Sequence, residues 1–158
     1  EIKDILLEVE VLTKELETKI LSVEELAFSY RHSIIPEKEY IVLCATLQLE
    51  KGEYAAIQKE MTELAEQRRE KQPLNFASAG STFKRPQGYF AGKLISDAGL
   101  KGYQIGDAQV SEKHGGFIIN RGNATCAEVV ALIEHCQKTV FEKFGVSLET
   151  EVKMIGEK

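Results

Sequence analysis

The stretch SAGSTFKRPQGYFAGK, residues 78–93, sets one hydroxyl, Ser81, beside Gly80 and follows it with Lys84 and Arg85. Adjacent cations can stabilise an anionic substrate and ease proton donation by such a hydroxyl. The same serine next to a glycine also suits an ordinary turn or helix N-cap. Arg31 lies between Tyr30 and His32 in an irregular segment, where a guanidinium could grip a carboxylate with two prongs or make a surface ion pair. Glu149 and Glu151 alternate in SLETEV and so share one face of an extended segment, either as acid–base groups or as its solvent side. These residues together describe an anion-binding domain.

Other patterns fall short of known chemistry. GYFAGKL imitates a phosphate loop but is one residue short and has Leu94 where Ser or Thr is required. GLKGYQIG lacks the dinucleotide-binding spacing, and Ser81 has no GxSxG elbow around it. His32, His114 and His135 show no metal-ligand spacing with one another or with Cys44, Cys126 and Cys136, so no metal is expected. His135 reads as structural, and Cys126 and Cys136 as small buried residues.

The elements that must position these groups belong to a chain of 158 residues, 43% hydrophobic and 28% charged, enough for one domain or two small ones. A net charge of −5 argues against nucleic acid as a partner. No apolar run approaches the ~20 residues of a membrane span. Three scattered cysteines without CxxC spacing point to a reduced, cytoplasmic protein. The charge is uneven: residues 71–121 hold seven Lys/Arg against three acids, a local +4, and eight of the twelve glycines, leaving −9 elsewhere. A basic, glycine-rich segment suits a small anion, because glycine lets backbone N–H groups approach it. The chain opens on Glu1 and enters a strand almost at once, as though cut from something larger.

IKDILLEVEVLT reads as a strand, TKELETKIL as a turn and return strand, and EYIVLCATLQLE as a further strand. Ser22 and Glu25 form a capping box that predicts a short helix over SVEELAF; YRHSIIPEK reads as irregular around Pro36. Residues 54–71 read as an amphipathic helix with Ile57, Met61, Leu64 and Ala65 on one stripe. Pro73 stops that helix and places a boundary near residue 71. Beyond it come a helix ending at Gly99, short strands in YQIGDAQVS and GFIIN around EKHG, a long helix from the Thr125–Glu128 capping box to Gly145, and a closing strand in SLETEVKMIG. Strands and a helix, then a small βα unit and a returning strand, indicate an α+β fold.

The run SAGSTFKRPQGYFAGKLISDAGLKGYQIGDAQVSEKHGGFIIN resembles the C-terminal part of the UDP-N-acetylenolpyruvoylglucosamine reductase family, the MurB flavoenzymes of bacterial peptidoglycan synthesis. FSYRHSII is similar to the family's YRxS segment, RREKQPL to the approach to the serine loop, and VFEKFGVSLETEVKMIG to its closing motif, so the resemblance covers the whole chain. It implies that residues 1–70 are the end of a FAD-binding domain, 71–147 a substrate domain for a UDP-sugar, and 148–158 a returning strand with a catalytic Glu. It implies Ser81 as proton donor, with Arg31 and Glu151 completing the catalytic set. Lys71, Arg85 and His114 would look toward the nucleotide diphosphate and sugar. The implied cofactors are FAD and NADPH, the substrate UDP-N-acetylglucosamine enolpyruvate, and the location the bacterial cytoplasm.

The resemblance has departures. The family's glycine-rich flavin lobe would precede these residues and is a missing partner here, so the piece alone is expected to be inactive. Asp107 stands where the family commonly has Gly and adds negative charge, Gly116 stands for Ala, and His32 for the usual Asp. The short spacing from Arg31 to Ser81 resembles the compact type without an inserted substrate-loop tyrosine. A non-catalytic UDP-sugar-binding module is the alternative reading; retention of Arg31, Ser81 and Glu151 together favours the enzyme.

Overall fold

The computed structural model describes residues 1–156. The chain resolves into two compact units, Glu1–Ile57 and Gln58–Lys158.

In the first unit, a single 3-10 turn at Ile2–Asp4 leads into β1 (Leu6–Leu12), which is flanked by β2 (Thr18–Ser22) and β3 (Ile41–Leu47) in an antiparallel sheet of order β2-β1-β3. Alternation on β1 sends Val9 and Val11 inward, where they pack with Leu6 and Leu26 and with partly buried Phe28, Ile34 and Ile35. The capping box at Ser22 closes in both directions: Ser22 N–H donates to Glu25 Oε2 at 2.8 Å, and Glu25 N–H donates to Ser22 Oγ at 3.3 Å. The expected helix does not follow. One turn forms, with Leu26 N–H on the Ser22 carbonyl, and Ala27 then adopts φ 48°, which ends it. The Leu26 carbonyl is taken by Ile34 N–H instead. Helix appears where irregular structure was expected, in α1 (Ile34–Lys38), because Pro36 falls in the first turn, where no N–H is needed. β3 is exposed at every position, including Ile41, Val42 and Leu43.

α2 (Tyr54–Lys71) has the expected span, but its apolar stripe is bare: Ile57, Met61 and Leu64 are 47%, 60% and 57% exposed. The second unit then builds a four-stranded antiparallel sheet, order β4-β7-β6-β5, from β4 (Ala77–Ser81), β5 (Gln104–Ile105), β6 (Ala108–Val110) and β7 (Phe117–Asn120). α3 (Ala91–Asp97) and α4 (Cys126–Phe144) pack on it. Leu94, Ile95, Leu132, Ile133, Cys136 and Val140 meet Val110 and Ile118 in one core. The Thr125 capping box forms here: Glu128 N–H donates to Thr125 Oγ1 at 3.2 Å and Thr125 N–H to Glu128 Oε2 at 2.9 Å. Gly145 caps the helix at φ 67°. The architecture is α+β. Among the described residues the closing segment forms an isolated bridge, Phe83 with Thr150, where a strand was expected.

Candidate active site

Ser81 ends β4 at a β-bulge. Ser78 pairs with Ile119 and Ser81 with Phe117, so three steps along β4 face two along β7. Gly80 absorbs the extra residue at φ 85°, a conformation costly for any side chain, and a Cβ there would touch nothing within 4 Å. Its service to Ser81 in the fold is conformational.

The next residue fastens this position. Thr82 is 3% exposed, and its hydroxyl accepts from Ile118 N–H at 3.1 Å. Its N–H donates to the Gly116 carbonyl at 2.8 Å, and its carbonyl accepts from Glu151 N–H at 2.8 Å. One buried threonine thus ties the serine strand to β7 and to the closing segment, setting the Glu151 main chain one residue past Ser81. Sequence reasoning missed Thr82; the signal available was a β-branched polar residue two positions after a glycine, which is common.

Ser81 lies on a groove of about 470 Å³ that Arg68, Gln72, Phe76, Ser78 and Phe117 also line. Arg68, which sequence reasoning passed over, donates through Nε to Gln72 Oε1 at 3.2 Å. The end of α2 is fixed there by Lys113 Nζ, which donates to the Arg69 carbonyl at 2.5 Å. His114 does not line the groove; its ring packs edge-on to the groove residue Phe117, centroids 5.0 Å apart. Gly116 N–H donates to His114 Nδ1 at 3.0 Å, so the neutral ring carries its proton on Nε2. A Cβ on Gly92 would come within 3.0 Å of that ring, so the glycine of the imitation phosphate loop serves packing of α3.

Lys71 is the last, exposed residue of α2 and does not line the groove. Arg85 also lies outside it: Nε donates to the Tyr89 carbonyl at 3.3 Å, and the guanidinium sits 3.9 Å from the Phe90 ring centroid. Lys84 pairs with Glu149 at 3.1 Å, so this cation and the first closing-segment glutamate are matched to each other. Asp107 fastens a turn: its carboxylate accepts from Asn123 N–H at 2.7 Å and its carbonyl from Arg121 N–H at 2.8 Å.

Arg31 belongs to the first unit, where it lines a concavity of about 530 Å³ with Lys3, Phe28, Tyr30 and His32. Ser29 and His32 exchange two backbone hydrogen bonds of 3.2 Å, leaving Tyr30 and Arg31 at the tip of a tight hairpin. Arg31 takes φ 55° there, a left-handed conformation that costs a non-glycine residue roughly 1–2 kcal/mol.

Flavin binding needs a cradle for a pyrophosphate. The first unit has a single glycine, Gly52, whose Cβ position is closed at 3.0 Å by Ile57, so its residues do not furnish one.

Residues 72–155 match the family model for UDP-N-acetylenolpyruvoylglucosamine reductase, C-terminal domain. The UDP-N-acetylenolpyruvoylglucosamine reductase of Caldanaerobacter subterraneus subsp. tengcongensis is 61% identical over the full chain and 52% of its own length. That of Agathobacter rectalis is 59% identical over 99% of the chain and 50% of its own. The crystal structure of UDP-N-acetylenolpyruvylglucosamine reductase (MurB) from Thermus caldophilus is similar at a TM-score of 0.78 and 37% identity, over 94% of this chain and 53% of that one. The chain spans about half the length of the curated relatives it matches. On this match and this fold, the chain belongs to the UDP-N-acetylenolpyruvoylglucosamine reductase family.

Proposed function

We propose that the chain supplies the substrate domain and proton donor of a reductase acting on the enolpyruvyl double bond of UDP-N-acetylglucosamine enolpyruvate, in cytoplasmic peptidoglycan precursor synthesis. The observation that carries this reading is the junction at Thr82, which sets Ser81 on an open groove with the Glu151 main chain alongside. In the full-length protein FAD, reduced by NADPH, would supply the hydride, and the flavin would be held mainly outside these residues. Residues 1–70 then complete the flavin domain, 71–147 hold the UDP-sugar, and 148–158 return Glu151 to the reaction.

Each group has a chemical task. Adding hydride to the distal vinyl carbon leaves negative charge on the neighbouring carbon and its carboxylate. Arg31 matches that charge most where it develops, which lowers the barrier rather than merely tightening binding. Ser81 gives its proton to the carbon; the bulge fixes the hydroxyl, so the transfer needs little reorganisation. Glu151 orients the serine–carboxylate system, while Lys71, Arg85 and His114 serve the diphosphate and sugar.

The test is stopped-flow absorbance on the full-length protein. Ser81→Ala should slow flavin reoxidation by the enolpyruvyl substrate about 10²–10⁴-fold, the usual contribution of a placed general acid, with flavin reduction by NADPH nearly intact. Unchanged reoxidation would return this loop to the role of a phosphate cradle.

A further inference from the structure

His32 makes two contacts that together demand a charge. Its Nδ1 lies 3.1 Å from the Ala27 carbonyl and its Nε2 2.6 Å from Glu37 Oε1. Both partners are acceptors, and a neutral imidazole has only one N–H, so both contacts are hydrogen bonds only when the ring is the imidazolium.

The two anchors sit on either side of the hairpin that carries Arg31. Ala27 closes the preceding turn at φ 48°, and Glu37 stands on α1 just beyond it. Between them Arg31 holds its left-handed conformation at the tip, with its guanidinium carbon 5.7 Å from the Tyr30 ring centroid. A strained residue persists only where its surroundings over-determine it, and His32 supplies two cross-links at the hairpin's base.

We infer that His32 is a positioning residue for Arg31: as an imidazolium it clamps the hairpin between Ala27 and Glu37, and it releases the clamp when it loses its proton. The inference rests on the reading of Arg31 as the carboxylate-facing cation. The direction of titration agrees with the geometry. The Glu37 carboxylate first, and the Ala27 carbonyl second, raise the His32 pKa above its ordinary 6.5. Since the folded state favours the charged ring, the clamp is complete below the ordinary value and is lost as pH rises through the raised one. The other titratable groups lining this concavity are Glu1, Lys3, Tyr30 and Arg31; Glu37 is the carboxylate in hydrogen-bond contact.

The experiment follows the oxidative half-reaction of the full-length protein against pH at saturating substrate, in wild type, Glu37→Gln, His32→Gln and Arg31→Ala. Wild type should slow as pH rises, along a limb that Glu37→Gln moves to lower pH because the carboxylate no longer favours the charged ring. His32→Gln should lose that limb and run about tenfold slower at low pH, with a smaller change in substrate affinity, as expected when a group beside the chemistry is misplaced. The ring resonances of His32, followed by NMR, should titrate with the same midpoint as the limb and move with it in Glu37→Gln. A limb that stays in place in Glu37→Gln while Arg31→Ala is slow would overturn the role of His32 and leave Arg31's intact. Reoxidation at the wild-type rate in Arg31→Ala would overturn the reading of Arg31 itself and this inference with it.

Discussion

Gly80→Ala isolates the bulge that presents Ser81. The glycine adopts φ 85°, and a Cβ there meets no atom within 4 Å, so the substitution introduces backbone strain without a clash. Left-handed geometry costs an alanine roughly 1–2 kcal/mol, offset by about 0.4–1 kcal/mol from a stiffer unfolded chain. The net expectation is a loss of about 1 kcal/mol, or a fall in Tm of about 4–8 °C for a unit near a hundred residues. Gly145→Ala is the matched control, since that glycine has φ 67° and equally open space but caps α4. Both variants should melt earlier by similar amounts, by circular dichroism on the full-length protein. They should diverge in flavin reoxidation, where Gly80→Ala loses rate through a displaced Ser81 and Gly145→Ala does not. Wild-type melting and reoxidation in Gly80→Ala would refute the claim that the bulge sets the serine.

Two further outcomes follow from the core of the second unit. Leu132→Ala, at a fully buried position on α4, should cost about 2–5 kcal/mol in urea denaturation, through lost transfer energy and a cavity that α3 only partly fills. Cys136, buried in the same core, has its thiol pushed up to about 12, so at pH 8 only about one molecule in ten thousand carries the reactive thiolate. Cys126, expected to be buried like Cys136, is instead exposed, because it falls on the first turn of α4; a thiol titration should therefore show Cys44 and Cys126 reacting readily and Cys136 only after unfolding, and fast labelling of Cys136 in the native state would contradict its packing.

Features that act within a turn or two of chain were legible in the sequence. The Thr125–Glu128 box, the Gly145 stop and the span of α2 depend on neighbours a few residues away, and each stands where the pattern put it. The Ser22–Glu25 box shows the limit of that reasoning. Its hydrogen bonds formed, but whether a helix propagates depends on where Leu26 is buried and which donor takes its carbonyl, both set by tertiary partners. Ser81 was singled out from residue types alone, and its geometry was not legible in the sequence. It depends on residue 82 bonding to 116, 118 and 151, pairings of long sequence separation that no local pattern encodes.

Charge shows the same division and changes how the basic segment is to be understood. The excess of +4 over residues 71–121 suggested cations gathered for an anion, yet the structure employs several of them locally. Lys84 meets Glu149, Lys93 meets Asp97 at 2.7 Å, Lys113 meets the end of α2, and Arg85 and Arg121 lie over Phe90 and Phe76. A sequence displays a charge but not its partner, and exposed pairs of this kind contribute only about 0–1 kcal/mol each to stability. They tie together local structure, much as the Asp107 carboxylate fastens the turn before α4. Affinity for an anion on this groove should therefore follow Arg68, the one cation among the described residues that line it, more than the basic count of the segment.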